Sequence, residues 1–314
     1  MINQIHNEPC LETLRKMPND FLDCVITSPP YWQLRDYGYD GQWGLEPTFQ
    51  QYLEHLWEMM DEIYRVLKPS GTCWINLGDT YARGSRAKYA NCNQSLRSKH
   101  EQLIEPNTKP NYEGLDKCLI LIPHRFAIGC IDRGWIVRND IIWAKRNGMP
   151  ESVNDRFAKK HEYIFLMTKS KKYYFNLDAI RDKHIWGNDK RNDGKRHEYK
   201  EGAKAYDDKK IGIKAVSFNP LGKNPGDVSD FWDIKTKPSS VKHYASYNVE
   251  LITKPILAGC PEGGLIYDPF MGSGTTAIHS IMNNRNFIGS EMSAEYLEIA
   301  NKRISDVQSQ PKLF

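Results

Sequence analysis

Two apolar stretches with the composition of β-strands are each followed by residues that cannot continue a regular strand. Residues 22–27 are followed by Ser28-Pro29-Pro30-Tyr31, and residues 265–268 by a turn of Gly-x-Gly type. Proline lacks an N–H and fixes φ, so the first strand must end at the prolines. The pattern predicts two buried strands, each leading into a loop at its carboxyl end.

Helical spacing of apolar residues alternates with further strand-like runs. Residues 49–68 carry one apolar face and end at Pro69, and residues 72–77 read as a buried strand, so 22–77 forms one parallel strand-helix-strand unit. The same patterns predict further helices at 11–17, 119–133, 249–258, 277–282 and 295–307, and strands at 135–144, 162–168 and 287–291. The alternation predicts an α/β fold.

Two charge-rich regions, 81–117 and 182–239, lack apolar periodicity. The ordinary interpretation of such segments is a solvated, flexible face. The functional one is a surface whose cations bind phosphates and whose aromatic rings stack or wedge. Both interpretations are open from these residues alone.

Composition excludes some classes of protein. The 314 residues carry a net charge of +4, which permits a polyanionic partner without requiring one. Seven cysteines without a C-x-x-C pair indicate reduced thiols and no metal site. The N-terminus lacks a signal-peptide pattern and no apolar run could span a bilayer, so we expect a cytoplasmic protein that does not enter a membrane.

The stretch Ser28-Pro29-Pro30-Tyr31 suits the binding of a flat heterocycle. Its prolines leave strand-end carbonyls without sheet partners, and an aromatic ring stands beside them. Such carbonyls could accept the N–H protons of an exocyclic amino group while the ring packs on the heterocycle. The alternative is a simple Pro-Pro turn with Tyr31 and Trp32 in the core.

The glycine-rich loop suits a nucleoside without a pyrophosphate. Thr275 stands where a P-loop requires lysine, and Ala277 stands where the dinucleotide fingerprint has its third glycine. Glu291, at the end of the next strand, could accept both ribose hydroxyls. Together these features indicate S-adenosylmethionine. The alternatives are a solvated carboxylate for Glu291 and a turn or N-cap aspartate for Asp268.

With both motifs in view, the chain resembles the amino-group DNA methyltransferases of the β class. Residues 28–31 match the family's [Asp/Asn/Ser]-Pro-Pro-[Tyr/Phe/Trp] motif, and residues 268–276 match its Asp-Pro-Phe-x-Gly-Ser-Gly-Thr-Thr motif. Residues 243–247 are similar to its cofactor-covering segment, with Tyr244 in place of the usual proline. Residues 143–145 and 162–165 also resemble family segments, and Asn7-Glu8 stands where an early Gly-Asp is often found.

The resemblance implies a Rossmann-like, S-adenosylmethionine-dependent methyltransferase fold, circularly permuted, with inserted target-recognition regions. It divides the chain into a catalytic half (1–80), a variable loop (81–117), a continuation of the core (118–182), a target-recognition region (183–240) and a cofactor-binding half (241–314). The implied catalytic residues are Ser28, Pro29, Pro30 and Tyr31. The implied cofactor-binding residues are Asp268, Pro269, Phe270, Gly272, Gly274, Thr275, Thr276, Glu291 and His243.

The implied reaction methylates a base flipped out of double-stranded DNA. The Ser28 hydroxyl and the Pro29 carbonyl would hold the amino group for direct in-line transfer, and Tyr31 would stack on the base. No covalent intermediate is required, so we interpret Cys10 as structural. Serine at position 28 favours cytosine N4 over adenine N6 within the family.

Other classes stay open from the sequence. They are a methyltransferase acting on RNA or on a protein glutamine amide, and a non-catalytic nucleic-acid-binding protein. A homodimer and a cognate restriction endonuclease are open as partners.

Overall fold

We describe the protein from a computed structural model, over residues 1–82, 102–103, 115, 117–148, 151–181, 230–235 and 248–309. The chain divides into two compact units. One comprises residues 1–176 and 230–314, and the other residues 177–229. The described part of the second unit contains a short 3-10 helix, Asp178–Ile180. All that follows concerns the first unit.

Among the described residues, eight strands form the main sheet in the order β1-β10-β9-β2-β4-β7-β6-β8. Their bounds are β1 Gln4–His6, β2 Leu22–Thr27, β4 Leu67–Leu77, β6 Ile136–Ala144, β7 His161–Thr168, β8 Phe231–Asp233, β9 Leu265–Asp268 and β10 Asn286–Ser290. Two further short strands, β3 Arg35–Asp36 and β5 Gln102–Leu103, pair with each other in antiparallel fashion.

Strand direction brings one set of strand ends to a common edge. The strands β1, β10, β9, β2 and β4 are parallel, so their carboxyl ends share that edge. Strand β7 is antiparallel to both β4 and β6, so its start and the end of β6 lie there too. Ligands of open α/β sheets bind outside such carboxyl ends.

Helices cover both faces of the sheet. Alternation along β2 sends Val25 into the core beneath α1 Cys10–Lys16, α2 Phe49–Val66 and α3 Ile122–Asp132. Its neighbours Cys24 and Ile26 enter the core beneath α4 Val249–Gly259. The remaining helices, α5 Thr275–Met282 and α6 Ala294–Ser309, pack on Phe287 of β10. The predicted α/β class is confirmed.

The predicted strand-helix-strand unit forms, with one difference. The sequence predicts a turn at residues 69–71, yet β4 begins directly after α2 at Leu67. Leu67 is already extended and pairs with Leu22, and the register then shifts before Cys24 pairs with Thr72. This irregularity absorbs the proline without ending the sheet pairing.

Two described strands of the main sheet have no counterpart in the sequence prediction. Strand β1 lies at the sheet edge beside β10, and β8 lies at the opposite edge beside β6. Each has three residues, too few to show an alternating pattern. Strand β8 falls inside the stretch 182–239, which the sequence predicts to lack regular structure.

Candidate active site

A cavity of about 630 Å³ opens at the shared edge of the strand ends. The loop after β2 lines it with Ser28, Pro29, Pro30 and Tyr31. The loop after β9 lines it with Pro269, Phe270 and Gly272, among others, and Glu291 after β10 faces it too. The two sequence motifs therefore meet in one cavity of a size typical for small-molecule sites.

A hydrogen bond between two side chains joins the ends of the two motif strands. The Thr27 hydroxyl at the end of β2 donates to Asp268 Oδ1 at the end of β9, at 2.7 Å. Asp268 Oδ1 also accepts from the Phe270 backbone N–H, and Oδ2 accepts from the Thr276 hydroxyl. Asp268 is wholly buried and does not line the cavity. It holds the glycine loop and the end of β2 in a fixed relation.

Burial dominates the charge state of Asp268. Loss of hydration raises its pKa to about 6, although the bonds from Thr276, Thr27 and Phe270 oppose that rise. The carboxyl therefore works as an anchor for three donors in a dry environment.

The glycine loop requires backbone conformations that suit glycine. Gly272 and Gly274 have φ of 53° and 82°. A Cβ atom on Gly274 would lie 3.0 Å from the Cβ of Ala300 in α6, so there is also no room for a side chain at this position of the turn. The Gly272 backbone N–H donates to Glu291 Oε2 at 2.8 Å, which closes the loop onto the next strand end.

Glu291 presents a buried carboxylate to the cavity. Its Oε1 accepts from the Ser293 backbone N–H, and burial raises its pKa to about 7. Each oxygen keeps a further lone pair, so the group can accept donors from a ligand. A buried acceptor beside a backbone loop and the Phe270 ring fits the ribose and heterocycle of S-adenosylmethionine.

At the other end of the cavity, Tyr31 is fixed by polar contacts. Its hydroxyl donates to Glu162 Oε2 at 2.6 Å and lies 3.2 Å from Asn76 Oδ1. The Ser28 hydroxyl donates to the Tyr31 hydroxyl at 3.5 Å. A Cβ atom on Gly78 would lie 2.5 Å from the Tyr31 ring, so glycine there makes room for it. The Pro30 carbonyl accepts a hydrogen bond from the Tyr52 hydroxyl and does not serve as an acceptor toward the cavity.

Lys145 and Glu162 complete this polar end. Their side chains form an ion pair, and the Lys145 ammonium also lies 4.1 Å from the centre of the Trp143 ring. Both residues stand in segments that resemble the family, but the sequence analysis assigns them no role. The sequence signal that could have identified these two residues is a charged residue at the end of an apolar strand. Asn76 and Lys159 also line the cavity and carry no such signal.

The remaining predicted positions differ in how they relate to the cavity. Thr275 lines it, whereas Gly274 and Thr276 support the loop from outside it. His243 lies outside the described residues. Cys10 borders the cavity but is buried, which raises its pKa to about 12, so it is no thiolate nucleophile.

The Asn7-Glu8 pair has structural contacts. The Asn7 amide donates to the backbone carbonyls of Glu291 and Met292 at 2.8 and 3.1 Å, which ties β1 to the segment after β10. Glu8 accepts from the Thr13 hydroxyl in the middle of α1 and pairs with Lys16 at the end of that helix. Trp32, the other aromatic residue of the central stretch, is buried and donates to the Glu46 carbonyl.

Comparison with known proteins decides the class of this site. The family model for DNA methylases of the N6 and N4 type matches residues 22–302. The chain belongs to this DNA methylase family. Family membership confirms the predicted DNA methyltransferase activity and S-adenosylmethionine as its cofactor.

Individual relatives agree with the family match. The chain is 36% identical to the type II methyltransferase M.Cfr9I of Citrobacter freundii, over 94% of this chain and 85% of that protein. Its fold is similar to PvuII DNA methyltransferase (cytosine-N4-specific), with a TM-score of 0.60 at 16% identity, covering 97% and 92% of the two chains. It is also similar to a putative DNA modification methylase of Thermus thermophilus complexed with S-adenosyl-L-methionine, with a TM-score of 0.57 at 19% identity, covering 98% and 97%.

Three features are absent from the described part of the chain. None of its helices is long and apolar enough to cross a membrane. No group of three or more candidate metal ligands occurs in it. Its six cysteines form no disulfide.

Proposed function

We propose that this DNA methyltransferase transfers the methyl group to the N4 amino group of a cytosine flipped out of duplex DNA. The observation that carries the proposal is the position of Ser28 in the same cavity as the glycine loop and Glu291. A serine hydroxyl can both accept and donate a hydrogen bond. The fold likeness to a methyltransferase named as cytosine-N4-specific supports the same base.

In this proposal the Ser28 hydroxyl and the Pro29 carbonyl accept the two N–H groups of the target amine. Holding both protons favours a pyramidal nitrogen whose lone pair can point toward the cofactor. Tyr31 supports the face of the base, since its hydroxyl is held by Glu162 and its ring lies against Gly78. Positioning and fixed dipoles then supply the catalysis.

The residues proposed to hold the cofactor are those of the loop after β9 together with Glu291. Glu291 accepts the ribose hydroxyls, and Pro269, Phe270, Gly272 and Thr275 line the adjacent wall. S-adenosylmethionine supplies an electrophilic methyl group on a sulfonium. Asp268, Gly274 and Thr276 shape the loop from behind it. His243 stays a proposed cofactor-covering residue.

Target recognition is proposed for residues 81–117 and for the region that begins at 183. Strand β8 belongs to the main sheet, so we place the end of the second recognition region before Phe231. The type II methyltransferase names of the relatives support a role in restriction-modification, with a cognate endonuclease as partner. A cytoplasmic location, a homodimer and the permuted motif order stay predictions.

Product analysis tests the target base. The chain is expressed in a bacterial host that lacks its own DNA methyltransferases, and the DNA is digested to nucleosides for mass spectrometry. We expect N4-methylcytosine, and far less of it from the Ser28→Ala variant. Exclusive N6-methyladenine would instead establish the alternative, an adenine-N6 methyltransferase.

The absence of any methylated base would favour a non-catalytic nucleic-acid-binding protein. Modification-sensitive sequencing of the same DNA identifies the methylated motif. That motif then defines synthetic duplexes for binding experiments.

A further inference from the structure

The polar end of the cavity contains a buried amino group without a hydrogen-bond partner. We define this end by Ser28, Tyr31, Asn76, Lys145, Lys159 and Glu162. The Lys159 side chain is 14% exposed, and its Nζ atom makes no hydrogen bond. The nearest carboxylate oxygen, Asp79 Oδ2, is 3.7 Å away, beyond hydrogen-bond distance.

Of the carboxylates near Lys159, Glu162 is engaged elsewhere and Asp79 only in part, because its Oδ2 atom makes no hydrogen bond and forms an ion pair with Lys159. Glu162 receives the Tyr31 hydroxyl on one oxygen and Lys145 on the other. Asp79 Oδ1 accepts the backbone N–H groups of Thr80 and Ile122, which fixes that carboxylate at the start of α3. An ammonium has three N–H donors, and the ion pair with Asp79 engages none of them at hydrogen-bond distance, so Lys159 has donors available for a group that enters the cavity.

A buried amino group that makes no hydrogen bond is costly, and burial lowers the pKa of Lys159 although the charges of Asp79 and Glu162 oppose that shift. Buried polar groups in native proteins nearly always have a partner. A ligand with an acceptor atom would remove the cost. Because both the ammonium and the neutral amine carry N–H donors, this holds in either protonation state.

We propose that Lys159 donates a hydrogen bond to the ring carbonyl O2 of the target cytosine and so selects cytosine over adenine. The proposal rests on the proposed N4-cytosine function. When the amino group of cytosine is held at Ser28 and Pro29, its carbonyl points to another wall of the cavity. That carbonyl loses its hydration on entry and needs a protein donor. Adenine carries a C–H group at the equivalent ring position, so it would leave Lys159 without a hydrogen bond from the base.

A backbone phosphate of the flipped nucleotide offers the same acceptor chemistry. We favour the base carbonyl because Lys159 is desolvated inside the cavity, whereas phosphate-binding lysines need contact with the strand outside it. The two acceptors differ in one testable respect, since a phosphate is present whichever base occupies the site.

The test compares two duplexes that carry the methylated motif, each with an abasic site opposite the target position to ease flipping. One has cytosine at the target position. The other has a 2-aminopyridine C-nucleoside, which keeps the amino group and ring nitrogen of cytosine but lacks the carbonyl. Affinity is measured by fluorescence anisotropy without cofactor, for the wild type and for Lys159→Met, Lys159→Gln and Lys302→Met.

We expect Lys159→Met to bind the cytosine duplex about 10- to 100-fold more weakly than the wild type, the usual effect of a lost charged hydrogen bond. The affinity of Lys159→Met for the carbonyl-free duplex should stay within about twofold of the wild-type value. In Lys302→Met, the ratio of the affinities for the cytosine duplex and the carbonyl-free duplex should also stay within about twofold of the wild-type ratio. Lys302 is exposed on α6, so this control removes the same charge outside the cavity. Lys159→Gln retains N–H donors and should recover part of the preference for cytosine.

Equal losses on both duplexes would overturn the proposal in favour of a phosphate contact. Unchanged affinities for a folded Lys159→Met, checked by thermal unfolding, would overturn it as well. Should Lys159→Met not fold, Lys159→Leu, which also lacks a donor, decides on the same criteria. If the wild type forms only N6-methyladenine, the proposed function fails first, whereas N4-methylcytosine with equal losses removes only the role of Lys159.

Discussion

The two ends of the cavity are built in different ways. At the cofactor end, Asp268 binds the Phe270 backbone and the Thr276 hydroxyl, partners two and eight residues away along the chain. At the polar end, Tyr31 binds Glu162, 131 residues away. One end is a nearly self-contained loop, and the other exists only after distant strands have paired.

This difference explains which residues a sequence motif can contain. Short-range contacts require particular residues at fixed offsets, so they leave a continuous motif. Long-range contacts require only that two strand ends meet, and either partner may stand anywhere in the sequence. The Thr27–Asp268 hydrogen bond directly links the end of β2, which leads to Tyr31, with the end of β9, which leads to the glycine loop.

The largest effect is expected for Ser28→Ala. If Ser28 holds the target amine, its removal should lower kcat by about 10²- to 10³-fold, as for the loss of one fixed polar group at a reacting centre. Calorimetry should show unchanged affinity for S-adenosylmethionine, because the cofactor end is built independently. The exposed Ser309→Ala is the matched control. Full activity in Ser28→Ala would remove the assigned role.

Next in size is the effect of Asp268→Ala on stability. This change leaves two buried hydroxyls and one backbone N–H without their acceptor, so the free energy of unfolding should fall by about 3 kcal/mol and cofactor affinity should fall with it. Asp268→Asn should cost less, because the amide oxygen can still accept from Thr27 and Phe270 while the Thr276 hydroxyl rotates to accept from the amide nitrogen. Denaturant unfolding measures both variants. Equal costs would show that the charge, not the hydrogen bonding, matters.

Glu162→Gln tests the long-range end. It weakens the hold on Tyr31 and leaves Lys145 without its ion pair, so we expect a loss of about 1–3 kcal/mol in stability. Methyl transfer should fall by about tenfold while cofactor affinity stays the same. The exposed Arg15–Glu58 pair supplies the control, since Glu58→Gln should change stability by less than about 0.5 kcal/mol. A selective loss of cofactor affinity in Glu162→Gln would contradict the separation of the two ends.

The smallest effect concerns pH. The pKa of Glu291 is about 7, above its ordinary value of 4.5, so without ligand the group is partly protonated near neutrality. If its carboxylate accepts the ribose hydroxyls, binding favours the charged form and releases a proton. Affinity for S-adenosylmethionine should therefore rise severalfold between about pH 6 and 8 and then level off.

Calorimetry in buffers of different ionisation enthalpy measures the proton release. Glu291→Gln has no ionisable group at this position and should bind more weakly with a flat pH profile. A steep profile that persists in Glu291→Gln would assign the proton to another group.

Most helices and longer strands follow from the sequence because their apolar periodicity is sustained. Strands β2 and β9 match their predicted bounds at Leu22–Thr27 and Leu265–Asp268. The exceptions have local causes. Strands β1 and β8 are too short for a pattern, and the turn predicted at 69–71 is replaced by continuous strand because Leu67 pairs with Leu22.

The two motif loops, the strands that lead into them and the family could all be recognised from the order of residues, because proline and glycine constrain their immediate neighbours. Other features became visible only in the folded chain: Asp268 supports the loop from behind, Glu162 pairs with Lys145 and holds Tyr31, and Lys159 lies buried without a hydrogen bond. Burial and long-range hydrogen bonding depend on which strand ends share an edge, and no local pattern encodes that edge.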